Sequence, residues 1–349
     1  MKKLGVVFGG MSTEHDVSII SATSVIQNVN KEKYEVFPIY IDKSGNWLKI
    51  DVKNLSNFTI GDDISNGDKI DNIIPYLKQL DVIFPVLHGL YGEDGTIQGL
   101  FELINVPYVG CKVLGSALGM DKAYTKVILD RAGIKQAKYS YVRKYKNEYI
   151  YIDHDFKETI CTLDKLCAFL EENIGFPMFI KPSNSGSSVG INKAKNINEL
   201  KKYIEYASQF DKKILVEENI NAREVECAVL GNEVVKASCL GEILPAEEFY
   251  SFDAKYKNDD SKLVIPASLP DELSNKIRNL AILAFKAIDG KGLSRVDFFI
   301  DRETSEIYIN ELNTMPGFTS ISMYPKLWEN SGLSYPDLID NLIELAFED

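Results

Sequence analysis

This chain has no paired cysteines. Cys111, Cys161, Cys167, Cys227 and Cys239 show neither CxxC spacing nor the density of a disulfide framework, so they read as free thiols of a reducing compartment, and no structural zinc is expected. A long apolar run is missing as well. No stretch approaches the roughly 20 residues of a membrane span. The short run after Lys2 and Lys3 is ended by Gly9, Gly10 and the polar Ser12 to Asp16, too early for a signal peptide. The expected setting is cytoplasmic, with no membrane partner. Basic excess is the third absence. The 51 acidic residues outnumber 39 basic ones, for a formal charge of -12, which argues against nucleic acid as the main partner, since that binding rests on Lys and Arg neutralising phosphates. A nucleotide needs only a few local cations and stays open. Internal repeats and low-complexity linkers are absent too.

What is present is ordinary globular composition, 45% hydrophobic and 26% charged over 349 residues, enough for two or three domains. Leu4 to Phe8 is an apolar run stopped by Gly9-Gly10, after which Ser12 or Thr13 can cap a helix with apolar positions Val17, Ile20, Val25 and Val29. Strands are expected at Tyr34 to Ile41 and Asp81 to Leu87, giving an open α/β layer whose ligands collect at the carboxyl ends of its strands. A first boundary falls near Cys111, followed by a helix from Lys122 to Ala132. Tyr139 to Leu170, rich in Tyr and Lys, shows no clear period. Strands follow at Met178 to Lys181, Lys213 to Glu218, Val225 to Leu230 and Val234 to Leu240. Asp271 to Ile288 reads as an amphipathic helix burying Leu273, Ile277, Leu280, Leu283 and Ala284. A hairpin-like pair, Ser294 to Ile300 and Glu306 to Asn313, and a last helix, Tyr335 to Ala346, complete the chain.

Five constellations carry chemistry. In the final hairpin, alternation puts Arg295 and Asp297 on one face and Glu311 with Asn313 on one face of the neighbouring strand. If the faces coincide, Asp297, Glu311 and Asn313 offer the hard oxygen ligands that Mg²⁺ takes together with phosphate and water; otherwise they are a solvated sheet face. Thr314 to Ser320, with Pro316 and Gly317, is a turn whose amides can meet an oxyanion. Lys181 opens a Ser/Gly-rich loop, KPSNSGSSVG, that follows a strand and suits phosphate oxygens, although it lacks Walker spacing and also describes a flexible connection. Glu217 to Glu224 lies at a strand end where a carboxylate can accept from ribose hydroxyls, or can simply be surface acid. His88, one of three histidines, lies just past a buried strand, in a structural or cleft-facing position. Glu14 occupies a helix first turn, stabilised there by the dipole and available to a substrate ammonium.

Together these motifs resemble the D-alanine:D-alanine ligase family of ATP-grasp enzymes across essentially the whole chain. They are GGMSTEHDVS at 9–18, PVLHGLYGEDGTIQGLFE at 85–102, MDK at 120–122, FIKPSNSGSSVG at 179–190, FYSFDAKY at 249–256, and SRVDFFI with INELNTMPGFT between 294 and 319. The resemblance implies a fold class of α/β and α+β: a three-domain ATP-grasp architecture with an N-terminal open parallel α/β domain at 1–110. A central subdomain at 111–220 and a C-terminal one at 221–349 would follow, the latter with a closing loop near 247–262. It puts Lys122, Lys181 and Lys255 on ATP phosphates, Glu217 and Glu224 on the adenosine end, and Asp297, Glu311 and Asn313 on two Mg²⁺ ions, with Mn²⁺ as a substitute. Glu14 and His88 would engage the first D-amino acid, Ser187 would link Glu14 to Tyr256, and Arg295 with the Gly317 amide would hold the oxyanion. A homodimer is expected on the same ground.

The implied reaction joins two D-alanines through an acylphosphate, for peptidoglycan precursor synthesis. Lys255-Tyr256 favours an amine nucleophile over D-lactate. Ser322-Met323 follow the glycine turn and belong to the second-substrate pocket, where an apolar lining rejects the hydroxyl of D-serine only weakly. A D-alanine:D-serine ligase, another ATP-grasp carboxylate-amine ligase and a non-catalytic nucleotide-binding regulator are the competing readings. Tyr139 to Leu170 fits the family pattern poorly.

Overall fold

The computed structural model describes residues 1–51, 55, 64, 67–187, 189–244, 262–319 and 321–348. Its first layer begins with β1 (Lys2–Gly9), α1 (His15–Asn28) and β2 (Tyr34–Ile41), then β3 (Trp47–Lys49), β4 (Asp68–Lys69), α2 (Ile73–Leu77), β5 (Val82–Val86) and α3 (Thr96–Ile104). The sheet order is β4-β3-β2-β1-β5, parallel through β2-β1-β5 and antiparallel at the β3 and β4 edge. A strand buried on both faces reads as a continuous apolar run, and β1 does so because Leu4, Val6 and Phe8 pack into one core while Val7 packs into another with Ile83 and Phe101. Gly9 and Gly10, at φ of +88° and +92°, turn the chain off the strand end toward α1.

Next come α4 (Val113–Met120) and α5 (Lys122–Arg131), which lead into β6 (Tyr139–Tyr145), β7 (Glu148–Ile152), β8 (Glu158–Cys161), α6 (Leu163–Asn173), β9 (Met178–Pro182), β10 (Asn192–Ala194), α7 (Ile197–Ala207) and β11 (Lys213–Glu218). They form an antiparallel sheet, β10-β9-β11-β6-β7-β8. Tyr139 to Leu170 is thus three short strands and the start of a helix. Both faces are partly covered. Val142, Tyr149 and Cys161 enter the core shared with Leu166 and Leu170 of α6, whereas Tyr141 and Ile152 meet Ala123 of α5 on the other side. Strands covered on both sides and only four to seven residues long leave no clean alternation for sequence reading.

The third sheet, β14-β13-β12-β15-β16, is antiparallel and comprises β12 (Ala222–Leu230), β13 (Lys236–Leu244), β14 (Lys262–Val264), β15 (Leu293–Asp301) and β16 (Ile307–Asn313). Between β14 and β15 runs α8 (Asp271–Ala287); α9 (Met323–Asn330) and α10 (Tyr335–Leu345) close the chain. Helix α8 buries Ile277, Ala281, Ala284 and Phe285, whereas Leu283 is 45% exposed. Leu273 and Leu280 pack partly buried against the same core, so Leu283 alone departs from the expected stripe, and Ala281 and Phe285 join the inward face. Tyr324, Leu338 and Ile339 of the last two helices share a core with Leu4 and Val25, so the chain's end packs on its beginning. Among the described residues no helix is long and apolar enough to cross a membrane.

Replacing a buried aromatic leaves a cavity that costs about 3–5 kcal/mol, whereas a half-exposed leucine costs under about 1 kcal/mol. In urea unfolding, Phe285→Ala is expected to lower stability by the larger amount and Leu283→Ala by the smaller. Equal losses would contradict the helix face described above.

Candidate active site

The hairpin register brings the expected oxygen ligands together. On β15 and β16, Arg295 lies opposite Asn313 and Asp297 opposite Glu311, with an irregularity after Asp297. On the other side β12 places Glu226 beside Asp297. Arg295 donates from Nε and an Nη atom to the two Asp297 oxygens at 2.8 and 2.7 Å, and its Nε also lies 3.0 Å from Glu226. Burial works against the guanidinium charge, but Asp297 and Glu226 overcome it and keep Arg295 protonated. The Asn313 amide nitrogen donates to Asp297 at 3.0 Å. No group of three His, Cys, Asp or Glu forms a metal site among the described residues. Two carboxylates and an amide oxygen instead make a partial hard-ligand set, which fits a Mg²⁺ ion that takes its other oxygens from phosphate and water.

The lysines converge on the same region from the central sheet. Lys181 on β9 and Lys126 on α5 both pair with Glu217 on β11, Lys126 at 3.1 Å. Glu217 is only 3% exposed; burial pushes its carboxyl up, but the two ammonium groups outweigh it and bring it to about 2. Burial likewise opposes the Lys181 charge, and Glu217 and Glu311 more than offset it. Lys122 donates to the Ser185 carbonyl at 2.8 Å and lies 3.8 Å from Glu311. Lys122, Lys126, Lys181, Glu217 and Glu311 line one cavity, and Glu224, Glu226, Arg295, Asp297 and Glu311 line its neighbour. Glu217 is thus engaged by two lysines. Sequence reading misses Lys126 and Glu226, although each has a signal: Lys126 is one helical turn from Lys122, and Glu226 shares a strand face with Glu224.

Glu14 immediately precedes α1, beyond the end of β1, and accepts a hydrogen bond from the Ser187 hydroxyl. The loop after β9 therefore crosses to the first layer. The approach is close: a Cβ on Gly186 would meet the Glu14 carboxylate, and one on Gly89, whose φ of +73° favours glycine, would lie 2.5 Å from it. His88 is 4% exposed, and both its ring nitrogens are used, Nδ1 with the Met315 carbonyl and Nε2 with Ser21 Oγ, each at 3.0 Å. Burial lowers its pKa, so the ring is neutral. Nδ1–H then donates to the carbonyl and Nε2 accepts from Ser21. His88 thus ties the end of β5 to the backbone of the glycine turn. The Gly317 amide has no acceptor among the described residues. Ser322 Oγ accepts from the Thr319 amide at 3.1 Å, and Met323 is buried against Gly241. Lys255 and Tyr256 lie outside the described residues.

The D-ala D-ala ligase N-terminus model matches residues 3–111 and the D-ala D-ala ligase C-terminus model matches 128–344. The chain belongs to the D-alanine–D-alanine ligase family. It is 51% identical to a D-alanine–D-alanine ligase of Acetivibrio thermocellus, over 99% of this chain and 96% of the relative. It is also 51% identical to one of Clostridium acetobutylicum, over 99% and 98%. Among solved structures, the VanG D-Ala:D-Ser ligase from Enterococcus faecalis aligns with a TM-score of 0.85 at 37% identity, covering 99% of each chain. The D-alanine–D-alanine ligase from Coxiella burnetii aligns at 0.80 and 33%, covering 100% of this chain and 96% of that one. The mixed α/β arrangement of three sheets is the ATP-grasp architecture of this ligase family.

Glu217 titrates near 2 in the folded chain against 4.5 for an ordinary glutamate. Its pairing therefore stabilises the fold fully above about pH 4.5, and that contribution, about 3 kcal/mol at 1.36 kcal/mol per unit, is lost as pH falls toward 2. In chemical unfolding from pH 6 to 3, Glu217→Gln should start less stable and lose less on acidification than the parent. Parallel curves would refute the assignment.

Proposed function

We propose that this chain joins two D-alanines into D-alanyl-D-alanine, with ATP converted to ADP and phosphate through an acylphosphate. One observation carries the reading: an unbroken line of contacts from Glu14 through Ser187 and its loop to Lys122, and from there to Glu311 opposite Asp297. A group fit for a substrate ammonium thus stands at one end of a cleft whose other end suits a nucleotide triphosphate.

A carboxylate is a poor electrophile, and transferring a phosphoryl group to it brings anions together. Lys122 and Lys181 supply positive charge where the phosphates would lie, and Glu14 would hold the ammonium of the first D-alanine, leaving its carboxylate to be phosphorylated. Glu217 and Glu224 would face the adenosine end. Asp297, Glu311 and Asn313 would hold Mg²⁺, or Mn²⁺, which when bound neutralises charge on the phosphates. The amine of a second D-alanine then attacks the acylphosphate, and Arg295 with the Gly317 amide would stabilise the oxygen that becomes negative. In this reading Lys255 and Tyr256 belong to a segment near 247–262 that closes the site against water, and the chain divides at 1–110, 111–220 and 221–349. The working form is a cytoplasmic homodimer serving peptidoglycan precursor synthesis.

The similarity to the VanG D-Ala:D-Ser ligase over 99% of both chains favours a second reading in which D-serine is the second substrate. Purified protein with ATP, Mg²⁺ and equal D-alanine, D-serine and D-lactate, followed by mass analysis, decides between them. D-Alanyl-D-alanine is expected to dominate. Dominant D-alanyl-D-serine would support the second reading, and ATP-independent or absent product would sink both.

A further inference from the structure

The turn carrying Gly317 follows β16 of the third sheet, yet its backbone is held from the first. The Met315 amide donates to Glu93 Oε2 at 3.0 Å, the Met315 carbonyl accepts from His88, and the Phe318 amide donates to Ser21 Oγ at 3.2 Å. The other Glu93 oxygen accepts the Gly89 amide at 2.9 Å, and it is the Gly89 backbone that comes up against the Glu14 carboxylate. One carboxylate therefore spans two loops of different layers: the one beside Glu14 and the one that presents the Gly317 amide two residues beyond Met315.

We propose that Glu93 is a positioning residue that ties these loops together and sets the Gly317 amide for the second step. The inference rests on the ligase reading. It follows from the geometry of an oxyanion donor, which works only when it already points at the place where charge develops; a turn anchored solely to its own sheet edge could tilt. Met315 is fixed at both its N–H and its C=O, by Glu93 and His88, so the peptide plane ahead of Pro316 has little rotational freedom. The site of the tie is also an unfavourable one for an acid. Loss of water contact and the Glu14 charge push Glu93 up to about 8, despite the two amides and Lys122 that favour its ionised form. A cross-link between loops made of simple packing would avoid that penalty, whereas acceptance of two backbone N–H groups from different layers requires an acceptor with two oxygens.

Glu93→Gln keeps the shape but turns one oxygen into an N–H donor facing an amide. The Gln variant should hold its KM for ATP within about twofold, because the lysine cluster is untouched, while kcat falls by on the order of tenfold or more. Amide hydrogen exchange at Met315 should accelerate in the same variant. A role confined to fold stability would lower the unfolding midpoint and leave kcat per folded molecule unchanged. If the Gln variant does not fold, Glu93→Asp, which keeps the carboxyl group and shortens the reach, takes its place with the same expectations. Unchanged kcat, or unchanged exchange at Met315, in whichever variant folds overturns the proposal. Failure of the parent to make dipeptide would instead sink the ligase reading alone, since the exchange comparison still decides whether Glu93 holds the turn.

Discussion

The pairing of Glu217 with Lys126 and Lys181 is the constraint from which the rest of the site takes its position. Its three members come from β11, α5 and β9, so one buried carboxylate fixes a helix against two strands. Breaking such a pair strands a charge in a low-dielectric setting, at a cost of about 3–5 kcal/mol, which makes the geometry far stiffer than packing alone. A second clamp acts at the start of α5. Asp121 caps the helix at Tyr124, accepts from Ser183 at 2.7 Å and pairs with Lys213 of β11. Between these two places, Lys122 is directed toward Ser185 and Glu311.

From this clamp, side chains that reach across add directional polar links to the apolar cores that the layers share. Ser187 reaches Glu14 in the first layer, Lys122 reaches Glu311 in the third, and Glu93 with His88 runs back from the first layer to the glycine turn of the third. The circuit closes on itself. Each link is polar and directional, so a change at one corner is felt as misalignment at another, which is how residues remote from the reacting atoms influence a rate.

Much of this circuit is legible in the amino-acid sequence. The β15-β16 pair can be read because alternation on two neighbouring strands has only two outcomes, and the pattern Arg295, Asp297 against Glu311, Asn313 leaves a clear face in each. The first layer can be read because β1 ends in a glycine turn. Roles set by contacts distant in sequence are not legible. His88 is separated from Met315 by 227 positions and Glu93 from it by 222, and nothing local in HGLYGED distinguishes a residue that touches substrate from one that holds a backbone. Nor does the sequence after the glycine turn reveal that α9 starts at Met323 with that residue buried in the core. Leu283 on α8 misleads because it sits at the edge of the apolar stripe, 45% exposed while Ala284 and Phe285 beside it are buried.

The polar circuit also explains how the site stays folded while carrying so much charge. Each of these cations is held near a carboxylate: Lys181 by Glu217, Lys122 near Glu311, Arg295 by Asp297 and Glu226. Opposite charges kept within hydrogen-bonding range lower the desolvation penalty that either would incur alone. In the proposed reaction a divalent cation would draw on the oxygens of Asp297 that Arg295 now occupies. Arg295 would retain Glu226, at 3.0 Å from its Nε, while its terminal nitrogens became available to a developing oxyanion. Charge is then exchanged between partners rather than created in a dry cleft. That exchange is why a site with more carboxylates than cations can still suit an anionic nucleotide.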